Sequence, residues 1–201
     1  MDALEAIMTT RAIRRFTDEP VSDDAVWTCL RAAQQAPSGG NVQPTRYLVV
    51  TDPEVRAEVG KLYRRAFTKY TEIAPPLKDD AVGTRVRQSA NHLADTLASV
   101  PVIVFFLMPR LPSLVEGIDI GPVHASVYPA VQNFCLAARA LGLGTTLTTV
   151  IRVHQAETLE LLGVPDKWEI AAMVPLGHPA EKFSVAKRRD VSRLTSFNRW
   201  S

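Results

Sequence analysis

Arg11, Arg14 and Arg15 set three guanidinium groups within one short stretch, directly after a small apolar run. A guanidinium is planar, stays charged at any working pH, and offers paired N–H donors that match phosphate oxygens. Arg11 and Arg14 stand three residues apart, a spacing at which helical side chains can converge on one anion. A solvated basic face would carry the same residues. A second segment, Ala36-Pro37-Ser38-Gly39-Gly40-Asn41-Val42-Gln43-Pro44, is a turn of small residues through which backbone can approach a ligand closely. Asn41 and Gln43 supply paired donors and acceptors of the kind that the edge of a pyrimidine-like ring requires. The same composition also suits an ordinary helix-to-strand turn.

Two further segments bear on the same chemistry. Gly142-Leu143-Gly144 leads into Thr145, Thr146, Thr148 and Thr149, a polar wall beside apolar neighbours. The glycines would also serve as a helix C-cap. Near the end of the chain, Lys187-Arg188-Arg189 is a basic run that could close over a phosphate or simply face water. Together the segments suggest a site for a phosphate joined to a flat polar ring. His92, His124, His154 and His178 lie apart, with no serine or cysteine constellation around them, so no catalytic residue is assigned. No metal-ligand spacing is present.

These groups need a scaffold, and the patterning supplies one. Helices are expected over Leu4–Met8, from a Ser22 cap to just before Pro37, from Asp52-Pro53 to the Ala74-Pro75-Pro76 break, over Thr84–Ala98, over Pro122–Leu141 and over Glu157–Leu162. Strands are expected at Tyr47–Thr51, Pro101–Leu107, Glu169–Leu176 and, less regularly, Thr145–Val150. Pro109–Gly121 reads as a loop, and beyond Gly177 the chain is polar and basic with no strong period. There is no Gly-x-Gly-x-x-Gly after the first strand, which argues against a dinucleotide-binding fold. The expectation is an α+β fold: a central mixed, mainly antiparallel sheet flanked by helices.

The 201 residues suit one domain, residues 1–201, and enough core to need no disulfide or metal. A net charge of +2 gives no field for nucleic acid or a membrane surface. Cys29 and Cys135 fall in apolar stretches and read as buried thiols in a reducing compartment. With no signal peptide and no apolar run long enough to span a bilayer, the expected location is the cytoplasm.

In order along the chain, the segments resemble the FMN-dependent nitroreductase family. The opening pattern stands here as Thr10-Arg11-Ala12-Ile13-Arg14-Arg15-Phe16, then Asp18-Glu19-Pro20-Val21. The loop from Ala36 through Thr45, Gly142-Leu143-Gly144, and Leu176-Gly177-His178-Pro179-Ala180-Glu181-Lys182 follow in register. Ala12, Thr45, Thr149 and Asp190 depart from the residues usual at those places, which are serine, tryptophan, glycine and proline. The resemblance implies a three-layer sandwich that dimerises and binds FMN between two copies. It implies NAD(P)H as donor, a ping-pong cycle, and nitroaromatic, quinone or similar small-molecule acceptors. Reductive dehalogenation, enone reduction, flavin fragmentation or flavin storage are the alternatives within the fold.

By the same resemblance, Arg11, Ala12 and Arg14 would hold the phosphate and the polar ring edge. Asn41 would act from its own loop, while Pro37, Ser38 and Gly39 reach across from the partner. Thr148 and Thr149 would offer a backbone donor to the ring, and Arg188 or Lys187 would complete the phosphate clamp. Phe67, Tyr70 and Leu111, within Phe67–Pro76 and Leu107–Gly121, are candidates for a hydrophobic lid.

Overall fold

The computed structural model describes residues 1–75, 80–110 and 123–200. Its frame is a four-stranded sheet: β1 (Arg46–Val50), β2 (Val102–Pro109), β3 (Gly144–Thr145) and β4 (Trp168–Gly177). The order is β1-β2-β4-β3, and each neighbouring pair runs antiparallel. A parallel bridge from Ala12 to Thr145 adds the segment after the first helix to the β3 edge. The expected mixed, mainly antiparallel sheet is the one found.

β2 shows why both faces of this sheet must be covered. Side chains alternate across a strand. Val102, Val104, Phe106 and Met108 enter one apolar cluster, and Ile103, Phe105 and Leu107 enter the other. The first face is covered by α2 (Asp23–Gln34) and α5 (Tyr128–Ala140), which contribute Cys29, Ala33, Phe134 and Ala138. The second is covered by α3 (Pro53–Ile73), α4 (Ala81–Thr96) and α6 (Gln155–Leu161). Helices, sheet and helices make three layers. α1 (Ala3–Thr9) rests near the end of α5, where Arg139 Nε donates to Thr9 Oγ1 at 2.9 Å.

Local chemistry sets the helix ends. Ser22 Oγ accepts from Ala25 N at the start of α2, and Asp52 Oδ1 accepts from Glu54 N and Val55 N at the start of α3. Pro53 occupies the first turn of α3, where its missing N–H leaves no bond unmade. The same helix stops at Ala74, whose extended backbone suits the residue before Pro75.

Two expected elements come out shorter. The apolar run before Leu141 divides into a 3-10 turn, Val123–Ser126, and α5 beginning at Tyr128. Pro129 lacks an N–H and sits in the first turn of α5, so a continuous helix through it would lose a bond. Thr145–Val150 does not continue as a strand. β3 ends at Thr145, Thr148 makes one bridge to Met173, and a 3-10 turn runs from Val150 to His154. Among the described residues, no helix is long and apolar enough to cross a membrane.

Candidate functional site

The arginine segment is held in place from two sides. Ile13 N donates to Thr145 O at 2.8 Å, which lays residues 12–14 beside β3 and drives the Ile13 side chain fully into the core. Its neighbour there is Gly144. A Cβ built on Gly144 would lie 2.7 Å from Ile13 Cγ2, so only glycine lets the two segments approach this closely. Gly142 acts differently. At φ +78° it takes the left-handed conformation that ends α5, and Leu143 N then bonds back to Ala138 O at 2.8 Å. From the other side comes the tail. Glu181 Oε1 accepts from Arg14 N at 2.8 Å and from Arg15 N at 3.3 Å, while Arg11 Nη1 donates to Ser184 Oγ at 2.6 Å. The Arg139 guanidinium lies 4.1 Å from the centre of the Phe183 ring, fixing the same stretch of tail.

Arg14 opens onto a cleft of about 470 Å³ between α3, α4 and residues 146–150. Tyr63, Phe67 and Tyr70 of α3 face it, with Arg87 and Asn91 of α4 and Thr146, Leu147 and Thr148 opposite. Thr148 is committed on every side. Its N–H donates to Met173 O at 3.0 Å, and its hydroxyl sits 3.2 Å from Tyr63 Oη and accepts from Val150 N at 3.3 Å. Burial raises the Tyr63 phenol above its ordinary range, outweighing the Thr148 hydrogen bond and the Arg14 charge that pull it down. The hydroxyl therefore stays neutral. Thr149 is exposed, and its N–H has no acceptor among the described residues. Of the two threonines, Thr149 has the backbone donor to spare.

The loop lies elsewhere. Gly39–Asn41 form a 3-10 turn, with φ +55° at both Gly40 and Asn41. Gly39 N donates to Ser126 Oγ at 3.2 Å, and Gln43 N donates to Ser38 Oγ at 3.0 Å. This turn precedes β1 at one edge of the sheet, whereas the arginine segment borders β3 at the other. Three strand spacings, roughly 14 Å, separate β1 from β3, and the arginine segment lies beyond β3. One chain thus brings Arg14 and Thr148 into one cleft, with Ala12 and Arg11 alongside, and leaves Pro37, Ser38, Gly39 and Asn41 at the far edge. Asn41 shares a single turn with Gly39.

Arg188 is exposed, and the tail residue that reaches Arg11 is Ser184. Phe67 and Tyr70 line the cleft as expected of a lid; Leu111, Pro76 and the rest of 111–121 lie outside the described residues. Sequence reasoning missed Tyr63, Asn91 and Ser184 altogether. In the sequence Glu181 stands only as part of a motif; in the structure its carboxylate caps the arginine backbone. Nothing about Tyr63 in the sequence distinguishes it from the core residues beside it.

A phosphorylated flat ring fits this arrangement on the structure's own terms. Cationic side chains border the cleft, aromatic faces line it, and an uncommitted N–H stands beside it. The described lining contains no carboxylate, histidine or cysteine.

Known proteins agree with that shape. The sequence profile of the Nitroreductase family matches residues 7–178. A provisionally named NADH dehydrogenase/NAD(P)H nitroreductase of Archaeoglobus fulgidus is 30% identical over 183 residues, covering 90% of this chain and 87% of that one. The iodotyrosine deiodinase of Drosophila melanogaster is 25% identical over 199 residues, 94% of this chain and 67% of that one. A crystal structure of a provisionally named nitroreductase from Desulfovibrio desulfuricans, in complex with FMN, superposes with a TM-score of 0.70 at 28% identity, covering 100% of this chain and 99% of that one. With the profile spanning most of the chain, this protein belongs to the nitroreductase family.

Proposed function

We propose that the protein is an FMN-dependent NAD(P)H oxidoreductase that works as a homodimer and reduces nitroaromatic, quinone or similar small acceptors. The observation that carries this reading is the cleft's lining. It has guanidinium groups and aromatic faces but, among the described residues, no carboxylate, histidine or cysteine. Such a lining suits chemistry carried by a bound group. A flavin supplies it, since when bound it accepts two electrons as hydride from a nicotinamide and yields them to an acceptor.

The chain's own residues then bind and orient. Arg11 and Arg14 hold the phosphate and the polar ring edge with charge-assisted bonds. Ala12 brings its backbone alongside. Thr149 N–H donates to the ring, and Thr148, already tied to Tyr63 and Met173, stiffens the segment that presents it. Arg188 closes the phosphate clamp from the tail. Pro37, Ser38, Gly39 and Asn41 come from the partner copy, because their own cleft is out of reach. Phe67 and Tyr70 shelter the face where nicotinamide and acceptor take turns.

Dimerisation is supported by what the single chain leaves uncovered. Among the described residues β1 is a free sheet edge, beside a groove of about 890 Å³ between β1 and α2. Val191, Leu194, Phe197 and Trp200 of the tail are exposed, Trp200 at 98%. We place the protein in the cytoplasm, where Cys29 and Cys135, both buried and free, would remain thiols.

The test is direct. Purified protein should show flavin absorption, and NADPH or NADH added without oxygen should bleach it within seconds. Initial rates with 4-nitrobenzoate or a benzoquinone should give parallel double-reciprocal lines. Colourless protein that takes up no added FMN would overturn the proposal.

A further inference from the structure

The 37–43 loop contains more left-handed backbone than turn chemistry explains. Gly40 and Asn41 tolerate a positive φ, but Gln43 stands at φ +50°, where a long side chain is disfavoured. Hydrogen bonds fix it there. Its N–H donates to Ser38 Oγ at 3.0 Å, and its side-chain amide is bound at both ends. Gln43 Nε2 donates to Asn41 Oδ1 at 3.1 Å, and Gln43 Oε1 accepts from Gln34 Nε2 at 3.0 Å. Gln34 Oε1 in turn accepts from Tyr47 Oη at 3.0 Å. Burial raises the Tyr47 phenol above its ordinary range, so it remains a donor.

The bonds therefore run in one direction, from Tyr47 through Gln34 and Gln43 to Asn41. Each primary amide has one acceptor end and one donor end, so its orientation sets that of the next. Asn41 Oδ1 is taken, and Asn41 Nδ2 is the end left to face a ligand.

Resting on the flavin reading above, we infer that Gln34 and Tyr47 are positioning residues. Through this relay they hold Asn41 as a hydrogen-bond donor toward an acceptor atom of the FMN held by the partner copy. Gln34 belongs to the last turn of α2 and Tyr47 to β1, so the two elements that flank the loop jointly set the polarity of its tip.

The relay can be reversed by one isosteric change. In Gln34→Glu the carboxylate only accepts. It takes bonds from Tyr47 Oη and from Gln43 Nε2, Gln43 Oε1 then turns to Asn41, and Asn41 must donate inward and present Oδ1 to the ligand. Protonating that carboxyl restores the amide's pattern of one donor and one acceptor. Apo-protein titrated with FMN and followed by fluorescence quenching tests this.

At pH 7.5, Gln34→Glu should raise the FMN dissociation constant about 10- to 100-fold over wild type, as expected when a donor is replaced by an opposed acceptor. Near pH 4.5 the ratio should shrink to a few-fold, because a glutamate titrates at about 4.3. Gln35→Glu places the same charge one residue along, outside the relay, and should stay within about twofold of wild type at both pH values. Equal affinity for wild type and Gln34→Glu overturns the relay, as does an equal loss in Gln35→Glu, which would show a charge effect alone. Wild-type protein that binds no FMN overturns the flavin reading and the relay with it. Should Gln34→Glu fail to fold, Tyr47→Phe carries the test. It should weaken FMN about threefold and leave the α2 cap and the sheet untouched, and unaltered affinity there overturns the relay.

Discussion

Arg14 is the residue on which the site turns. Its backbone is pinned by Glu181 and its side chain lines the cleft. Arg14→Ala should weaken FMN binding by about 1.5–3 kcal/mol, the usual range for a charge-assisted bond. Equilibrium dialysis would read this as a 10- to 150-fold rise in dissociation constant. Arg14→Lys keeps the charge but loses the planar fork, and should recover only part of the affinity.

Cys29 gives a prediction about pH. Burial first, and the neighbouring Cys135 second, raise its thiol from 9.0 to about 12. The unfolded chain therefore ionises this thiol before the folded one does. Below pH 9 the group adds no pH dependence. Between pH 9 and 12 its contribution to stability falls with rising pH, by at most about 1.4 kcal/mol per unit. Urea unfolding midpoints of wild type and Cys29→Ala, compared at pH 8 and 10.5, should converge as pH rises. A difference that does not change with pH would rule this out.

Among the elements, the two glycines that close α5 can be told apart. A methyl on Gly142 meets nothing within 4 Å, so Gly142→Ala is opposed only by its φ of +78° and should lose about 1 kcal/mol. Gly144 has no such backbone requirement but has no room either, and Gly144→Ala should lose about 1–3 kcal/mol by overpacking against Ile13. Only Gly144→Ala should also weaken FMN, since it pushes residues 12–14 off β3. Thermal melts paired with FMN titration would separate the two. The helix starts were legible in sequence because Ser22 and Asp52-Pro53 announce themselves within a few residues. The start of α5 was not. Val123–Val127 reads as apolar helix, and only the bond lost at Pro129 moves the boundary. Thr145–Val150 misled for a related reason: its threonines favour a strand, but β4 has partners for Thr145 and Thr148 alone.

At the scale of the whole molecule, the segments singled out in the sequence fall at opposite edges of the sheet. Motif order along a sequence carries no information about sheet edges. The order β1-β2-β4-β3 does, and it sends Asn41 and Arg14 apart. The exposed tail fits the same picture. Removing residues 190–201 should shift the mass seen by sedimentation equilibrium from twice 22.1 kDa toward a single chain and release bound flavin together with it. The distance between the two edges also has a genetic consequence. Under the proposed dimer, chains carrying Arg14→Ala and chains carrying Asn41→Ala would each be defective at both sites of their own pairs. In a mixed pair, one site collects both lesions and the other collects none. Co-expressing the two crippled alleles should therefore rescue about a quarter of normal turnover, as random assortment of a twofold assembly requires.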